Sequence, residues 1–393
     1  MSNDLDKNKK VPNVPNLRFG EYNDSWDFLI IKNYYETQMC KRIFANQTSQ
    51  NESVPFYKIG TLGGIADSYI SKELFKEYKS KYNFPKIGET LITCSGTVGK
   101  CIQFDGQDAY FQDSNIVWLR SENSPIINDF LFRLIDKKDW SQLNTTTISR
   151  IYTSDLLNLK FYYPSSKSEQ EKIVLLLNKI DKRIETQNKI IKELNALRNS
   201  IMDNFYKKKT NGLYKSVSGM IDEFCMKTTR NSEYEVLSST ANGIYRQSEY
   251  FNKEAASSDT TGYKIIPFGY YTYRSMSDTG EFHFNQQMLI DKGIVSPAYP
   301  VFTIIEKHSK YVLLSLNNSP IVKKQILADK SGGTRFALPL SRLRKIQIPW
   351  ADDKDISCFE ELTSKIDTKL TLEKLIASKL LEQKNYLLAN LFI

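Results

Sequence analysis

The sequence predicts an α+β protein with a pseudo-two-fold internal repeat, in which two globular domains are separated by two long antiparallel helices that form a coiled-coil spacer. Residues 166–206 carry apolar side chains at the 3.5-residue period of a helix that packs along another helix. Residues 352–393 repeat that pattern. The stretch before each helix alternates apolar and polar residues in short runs between glycine turns, which is typical of strands. The predicted order is therefore domain, helix, domain, helix.

The two helices match each other at an offset of 186 residues, which indicates a duplication. Lys179-Ile180-Asp181 recurs as Lys365-Ile366-Asp367, and the polar break at Arg198 falls opposite the polar Lys384. The globular interiors do not match in sequence. Two such units related by a two-fold axis would pack the helices antiparallel, with one domain at each end. The apolar positions that we assign to the spacer and to partner docking are Ile173, Leu177, Ile180, Ile184, Ile191, Leu194, Ile201, Phe205, Ile366, Leu370, Leu380, Leu387 and Leu391.

The ends of the first helix are marked in the sequence. Ser166 and Glu169 predict a capping box at its start, and Asn211-Gly212 predicts its end. A helix of some 38 residues spans roughly 55–60 Å, which favours a spacer over a pair of core helices. The predicted segments are a loose tail at 1–16, a domain at 17–165, a helix at 166–209, a domain at 210–350 and a helix at 351–393.

Composition limits the class of protein. In 393 residues, 40% hydrophobic and 12% aromatic side chains favour folded domains over disorder. No run of 18 apolar residues and no apolar N-terminal segment is present, so we expect neither a membrane span nor a secretory signal. The five cysteines are scattered without a CxxC pair, which favours reduced thiols in the cytoplasm and no zinc site. The net charge of +9 favours a polyanion such as DNA, although many solvated surfaces are similarly basic.

Recognisable catalytic motifs are missing from the sequence. No proline is followed by proline, as in the adenine-binding loop of amino-methyltransferases, or by aspartate, as in common nuclease motifs. The two histidines, His283 and His308, form no HExxH arrangement. Since His283 lies between Phe282 and Phe284 in an alternating run, we interpret it as a surface or edge residue. We therefore expect no catalytic residues and no metal site in this chain.

Residues 96–100, Gly-Thr-Val-Gly-Lys, superficially resemble a phosphate-binding loop, but the spacing of a Walker motif is wrong. Three interpretations stay open: a nucleotide site, a plain hairpin turn, or a glycine turn at which Thr97 and Lys100 approach a DNA phosphate.

Three other segments carry candidate DNA contacts. Lys58 lies where a predicted strand enters a glycine turn. The aromatic run 268–274 ends in Tyr273 and Arg274 and is either a contact surface or a half-buried strand. The Gly-Gly-Thr-Arg sequence ends in Thr334 and Arg335, and its arginine could bind guanine or a phosphate.

The chain resembles the specificity subunit of type I restriction-modification systems. The resemblance rests on the order of the segments and on local sequence: Pro-x-Leu-Arg-Phe at Pro15–Phe19, Trp26, and Ser-Glu-Gln-Glu-Lys-Ile at Ser168–Ile173. The second helix departs from it, because Ser357–Phe359 replaces the Glu-Gln-Lys sequence of the first.

The resemblance implies a function for each part. Each globular domain would be a target-recognition domain that reads one half of a split sequence in double-stranded DNA. The paired helices would set the spacing and dock the adenine methyltransferase subunits, typically two, which use S-adenosylmethionine. Motor-nuclease subunits, which need ATP and Mg, would complete the complex. The chain itself would be a non-catalytic cytoplasmic protein without a cofactor.

The residues add one inference to the resemblance. Because the two domains differ in sequence, we predict that the two DNA half-sites differ and that the target is asymmetric. Two alternatives stay open: a coiled-coil scaffold without DNA readout, and a stand-alone DNA-modifying enzyme with an unrecognised site.

Overall fold

The computed structural model describes residues 13–140, 150–208, 210, 212–250, 259–328 and 335–393. The chain forms two compact units. Unit 1 comprises the chain up to Asn188 together with Ile376–Ile393, and unit 2 comprises Lys189–Leu375. Each unit contains one globular domain and a part of both long helices. In the described part of the chain, none of the helices has an apolar stretch of the length that crosses a membrane.

The first domain and the first long helix contain nine strands and four α-helices within the described residues. The strands are β1 (Asp27–Ile30), β2 (Glu36–Met39), β3 (Val54–Tyr57), β4 (Tyr69–Ile70), β5 (Thr90–Thr93), β6 (Cys101–Gln103), β7 (Tyr110–Phe111), β8 (Ile116–Arg120) and β9 (Lys160–Tyr163). The helices are α1 (Lys72–Lys81), α2 (Asn128–Asp136), α3 (Thr153–Leu157) and the long α4 (Lys167–Lys208).

The second domain and the second long helix follow the same plan. The strands are β10 (Tyr214–Ser216), β11 (Ile221–Glu223), β12 (Leu237–Thr240), β13 (Gly243–Arg246), β14 (Lys264–Pro267), β15 (Tyr271–Thr272), β16 (Met276–Ser277), β17 (Asn285–Gln286), β18 (Lys292–Val295), β19 (Val301–Ile304), β20 (Phe336–Ala337) and β21 (Gln347–Pro349). The helices are α5 (Gln247–Tyr250), α6 (Ser309–Asn318), α7 (Pro320–Leu327), α8 (Leu340–Leu343) and the long α9 (Asp353–Asn390).

Both domains are built on the same four-stranded antiparallel sheet. Its strand order is β2-β8-β5-β6 in unit 1 and β11-β19-β15-β17 in unit 2. A two-stranded sheet precedes each long helix, β1 with β9 and β10 with β21. Ile31 N donates to Leu159 O in unit 1, and Val217 N donates to Ile346 O in unit 2, both at 3.0 Å. The two interiors, which do not match in sequence, therefore share the strand order of this sheet, although their other sheets differ.

The two long helices run antiparallel in each unit. In unit 1, the first turns of α4 and the last turns of α9 share the core of the first domain, where Ile173 and Leu177 lie in one cluster with Leu387 and Leu391. In unit 2, the end of α4 meets the start of α9, and the rings of Phe205 and Phe359 are 4.2 Å apart. Every apolar position assigned to the helices from the sequence is buried or half-buried. The predicted α+β fold with its two long helices is confirmed.

The start of α4 is attached to the first domain by two buried polar side chains. Glu169, 1% exposed, accepts from Arg18 Nε and Nη2 at 2.7 and 2.8 Å and from Trp26 Nε1 at 3.2 Å. Gln170 donates to the carbonyls of Pro125 and Pro164 and accepts from Ile127 N.

Two predictions about this end of the chain need correction. Ser166 Oγ accepts from Glu169 N at 3.4 Å, which is half of a capping box, but the Glu169 carboxylate is taken by Arg18 because a buried charge needs a charged partner. Residues 13–16, predicted as part of a loose tail, are held in place: Pro15 is buried and Asn13 O accepts from Trp26 N at 2.7 Å. The rest of that tail, residues 1–12, lies outside the described residues.

The start of α9 is attached to the second domain differently. Ile356, the counterpart of Gln170, is fully buried among apolar side chains. One turn further on, the carboxylate of Glu360 accepts from Tyr311 N at 2.7 Å and lies 3.0 Å from His308 Nδ1. The departure of the second helix from the Glu-Gln sequence thus coincides with an apolar residue at the position of Gln170 and with a polar contact one turn further along the helix.

Candidate nucleic-acid interface

An exposed hairpin loop occupies the same place in both domains. In unit 1 it is the 94–100 loop, which follows β5 and forms a β-bridge between Ser95 and Arg150. In unit 2 it is the 275–281 loop, which follows β15 and whose strand β16 pairs with β20. Each partner segment leads into a short helix, α3 or α8, and then into a long helix. The two loops are therefore equivalent positions that carry different side chains.

Hydrogen bonds from one buried threonine fix the shape of the 94–100 loop. Thr93 Oγ1 donates to the carbonyls of Thr97 and Lys100, and Thr93 O accepts from Gly99 N at 2.8 Å. Gly99 has a φ of +79°, and a Cβ there would lie 2.1 Å from Trp140 Cδ1, so only glycine fits. Thr97 and Lys100 are exposed. The loop therefore presents a hydroxyl and an ammonium group on a rigid turn.

The turn after Lys58 packs against the 94–100 loop. A Cβ on Gly96 would lie 2.8 Å from Ile59 Cδ1, and one on Gly63 would lie 3.8 Å from Lys100 Nζ. Lys58 itself pairs with Asp67 at 3.0 Å on the surface. Of the residues predicted in the first domain, Lys58, Thr97 and Lys100 thus lie on two touching turns.

A cavity of about 320 Å³ next to Lys58 is lined by residues that the sequence analysis did not predict as DNA contacts. Arg42, Gln112 and Asn115 line it with Lys58. Arg42 pairs with Asp113 at 2.9 Å, and Gln112 Oε1 accepts from Ile59 N at 3.3 Å. The only sign of these residues in the sequence is the polar run 112–115 between two apolar strands. Such a run is typical of an ordinary turn, and its proximity to the turn after Lys58 is visible only in the structure.

Cys94, the first residue of the 94–100 loop, and Cys101, which follows the loop, are not reactive thiols. Cys94 and Cys101 are buried. Burial raises the pKa of the Cys94 thiol to about 11, and it raises the pKa of Cys101 further, with the nearby Asp136 carboxylate adding to the effect. Both thiols are therefore protonated at neutral pH and are poor nucleophiles.

In unit 2 the 275–281 loop carries an ion pair. Ser277 Oγ accepts from Thr279 N and Gly280 N at 3.3 and 3.0 Å, which closes the turn. Asp278 in this turn lies 2.8 Å from Arg335 Nε, and both side chains are more than half exposed. The pairing of β16 with β20 brings Arg335 to this loop, so two distant predicted segments meet here.

Arg274 lines a cavity of about 460 Å³ beside the same loop. Ser238 and Ser239 from β12, His283 and Tyr299 also line it. Among the described residues Arg274 has no ion-pair partner, and its side chain is exposed. His283 is exposed between the buried Phe282 and Phe284, although the chain there is not a strand. The cavity therefore presents one guanidinium without an ion-pair partner among hydroxyl, imidazole and carboxylate groups.

The structure corrects one of the predicted contacts. Tyr273 is fully buried, its ring packs on Phe284 at 4.6 Å, and its hydroxyl donates to Leu338 O at 2.8 Å. Its ring is therefore not available to stack on a base, and Tyr273 belongs to the core. Thr334 lies outside the described residues.

The apolar helix positions that the sequence assigned to partner docking differ from the apolar side chains that are exposed on the helices. Because the apolar heptad positions are buried or half-buried, they hold the helices together and offer little surface to a partner. The exposed apolar side chains lie elsewhere on the helices. In unit 1 they are Leu175, Ile376, Leu381 and Tyr386, and in unit 2 they are Leu197, Leu362, Leu372 and Leu375.

The helix pair is also joined by one ion pair in each unit, at equivalent positions of the repeat. Asp181 lies 2.7 Å from Lys384 of α9 and 2.6 Å from Arg133 of α2. Asp367 lies 2.7 Å from Arg198 of α4. The polar breaks at Arg198 and Lys384 are thus explained by the aspartates of the repeated Lys-Ile-Asp sequence.

Residues 23–196 match the family described as the type I restriction modification DNA specificity domain. This segment belongs to that family. A Haemophilus influenzae protein named as a type I restriction enzyme specificity subunit is 46% identical over 144 residues. The match covers 37% of this chain and 37% of that relative, so it spans little more than a third of the relative's length. The resemblance seen in the sequence is confirmed for the specificity domain.

Solved structures extend the similarity in fold to nearly the whole chain. The S subunit of a type I restriction-modification system from M. genitalium has a TM-score of 0.63 and 16% identity, over 97% of this chain and 99% of that one. A chain from a structure of type I restriction-modification complex assembly has a TM-score of 0.51 and 10% identity, over 92% and 96%. At these identities the comparison establishes the fold, which continues past the specificity domain into unit 2.

Proposed function

We propose that this chain is the DNA sequence-specificity subunit of a type I restriction-modification complex, and that each unit reads one half of an asymmetric bipartite target. The observation that carries the proposal is the pair of equivalent loops, 94–100 and 275–281, on domains of the same strand order. The first presents Thr97 and Lys100, and the second presents an aspartate–arginine pair beside Arg274. Different side chains on the same scaffold support different base preferences.

The long helices support the second part of the proposal, that they set the distance between the half-sites. At 42 and 38 residues, α4 and α9 are far longer than a domain core needs. Buried apolar contacts and an ion pair join them in each unit, which makes them stiff. The exposed leucines on their outer faces are suited to bind the helical parts of two methyltransferase subunits.

The chemistry in this proposal belongs to partner subunits. The methyltransferase subunits would bind S-adenosylmethionine and methylate adenine, and motor-nuclease subunits would use ATP and Mg. Among the described residues, no group of three or more His, Cys, Asp or Glu side chains is placed to hold a metal ion.

Mapping of DNA methylation tests the proposed function. The full chain is co-expressed with the methyltransferase subunits of its host, and methylated adenines are located by single-molecule sequencing. We expect one asymmetric motif, with two different short halves separated by unspecified bases. A palindromic motif would contradict two different readers, and methylation without any motif would contradict sequence readout. Methyl transfer by the purified chain alone would favour a stand-alone enzyme instead.

A further inference from the structure

The cavity beside the 275–281 loop has a charge pattern that does not suit a phosphate. Arg274 lines it, but so do the carboxylates of Asp278 and Glu281. Arg335 neutralises Asp278 at 2.8 Å, which leaves one guanidinium and the exposed carboxylate of Glu281. A phosphate site concentrates positive charge, and a carboxylate in it would repel the ligand.

The same pattern matches the edge of a base pair. In the major groove, a G·C pair presents two acceptors, guanine N7 and O6, and one donor, the cytosine N4 amino group. Arginine binds the two acceptors with its forked donors, and glutamate accepts from the amino group. The wall of the cavity adds the hydroxyl groups of Ser238 and Ser239, which are themselves largely buried.

The backbone gives Arg274 a fixed direction. Tyr273 before it is fully buried, and Ser275 after it donates through Oγ to Ala298 O at 2.7 Å. Arg274 therefore projects from a segment anchored on both sides, and the alternation of a strand-like backbone points it away from the core. Among the described residues Arg274 forms no ion pair that would compete with a base for its guanidinium, whereas Arg335 is paired with Asp278.

We infer that Arg274 and Glu281 read a G·C base pair in the half-site of unit 2, with Arg274 on guanine and Glu281 on cytosine. The inference rests on the proposed function and adds to it a specificity-determining pair and the base pair that it recognises. The first half-site, read by unit 1, is independent of this cavity.

Substitutions in the assembled methyltransferase complex test the inference. Arg274→Ala should lower the discrimination for one G·C pair by roughly 5- to 150-fold, measured by competition with duplexes in which each position is exchanged in turn. The other half-site and the spacer should stay unchanged, which also shows that the variant is folded. Arg274→Lys keeps the charge but lacks the fork, so it should lose the same discrimination with a smaller loss of total affinity. Glu281→Ala should lower the discrimination for the same G·C pair of the target.

Arg344→Ala is the matched control, because Arg344 is a partly exposed arginine of the same unit whose charge is paired with Glu223. It should leave the methylation motif unaltered. An equal loss of affinity for all sequences in Arg274→Ala would make Arg274 a phosphate contact and overturn the inference, as would an unchanged motif. In both cases the wild-type complex still methylates a split motif. Failure of the proposed function is a different result, because the wild-type complex would then show no split motif.

Discussion

Asp181 on the first long helix accepts a hydrogen bond from Lys384 on the second, with 2.7 Å between the carboxylate oxygen and the ammonium nitrogen. The repeat offset of 186 residues converts this pair into Asp367 and Arg198, which also lie 2.7 Å apart. Each unit therefore has an ion pair at the same position of the repeat, with lysine as the cation in one unit and arginine in the other.

Replacing Asp181 with asparagine should destabilise unit 1 by about 2 kcal/mol, because Arg133, 6% exposed, would lose its charged partner. Denaturant unfolding followed by tryptophan fluorescence measures this, since Trp26, Trp118 and Trp140 lie in unit 1. Glu185→Gln is the control: it removes a charge from an exposed pair on the same helix and should have little effect. An equal loss in both variants would contradict a special role for Asp181.

The stabilising effect of Asp181 should depend on pH. Burial opposes ionisation, but the hydrogen bonds and charges of Lys384 and Arg133 together hold the pKa of Asp181 below its ordinary value of 3.8. A carboxyl group with a lowered pKa stabilises the folded state above its ordinary pKa, and this contribution disappears as the pH falls through the lowered value. The difference in unfolding free energy between wild type and Asp181→Asn should therefore be constant near neutral pH and shrink below about pH 4. A difference that grows on acidification would refute this assignment.

Gln170→Leu should cost about 3 kcal/mol, because the carbonyls of Pro125 and Pro164 and the amide of Ile127 would all lose their buried partner. The control is Ile356→Leu at the equivalent position of α9, an exchange of one apolar side chain for another that should cost less than about 1.5 kcal/mol. Chemical denaturation of both variants gives the comparison. Similar costs at the two positions would contradict the polar role of Gln170.

Lys100→Ala should weaken DNA binding about equally for all sequences and lower the slope of log affinity against log salt by about 1, because an exposed lysine beside a glycine turn suits a phosphate. Titrations of the assembled complex at several salt concentrations measure the slope. Lys81→Ala is the control, since Lys81 is already paired with Glu77 on α1. A change of the methylation motif in Lys100→Ala would make Lys100 a base contact.

Shortening both long helices should shorten the target. Deleting residues 185–191 together with 374–380 removes two turns from each helix, about 10.5 Å, and keeps the heptad pattern. The unspecified spacer in the methylation motif should shrink by about three base pairs at 3.4 Å per base pair, while both halves stay the same. Deletion in α4 alone would break the pairing of Asp181 with Lys384 or of Arg198 with Asp367 and should abolish methylation. An unaltered spacer after the double deletion would rule out the spacer role.

The helices were the most predictable part of the fold. Their heptad pattern extends over ten positions, and the polar breaks at Arg198 and Lys384 find aspartates that the repeated Lys-Ile-Asp sequence already marks. Long periodic segments carry enough signal to be read from one sequence.

The strands and the candidate interface were less predictable. The described strands have only two to five residues each, so their pairing depends on contacts between residues far apart in the chain. The strand order that the two domains share could not be read from the residues. Tyr273 and Arg274 are neighbours of similar appearance in the sequence, yet one is core and the other is exposed. The sequence predicted that Arg335 could bind guanine or a phosphate, but the pairing of β16 with β20 places it in an ion pair with Asp278.

The contrast between Gln170 and Ile356 limits how such a chain can be rearranged. A first domain moved to the second position would place three polar backbone groups against the side chain of Ile356, which offers them no hydrogen bond. A second domain moved to the first position would bury Gln170 among apolar side chains. Each junction therefore suits its own helix, so we expect a working exchange to replace a domain by one taken from the same position of a related chain.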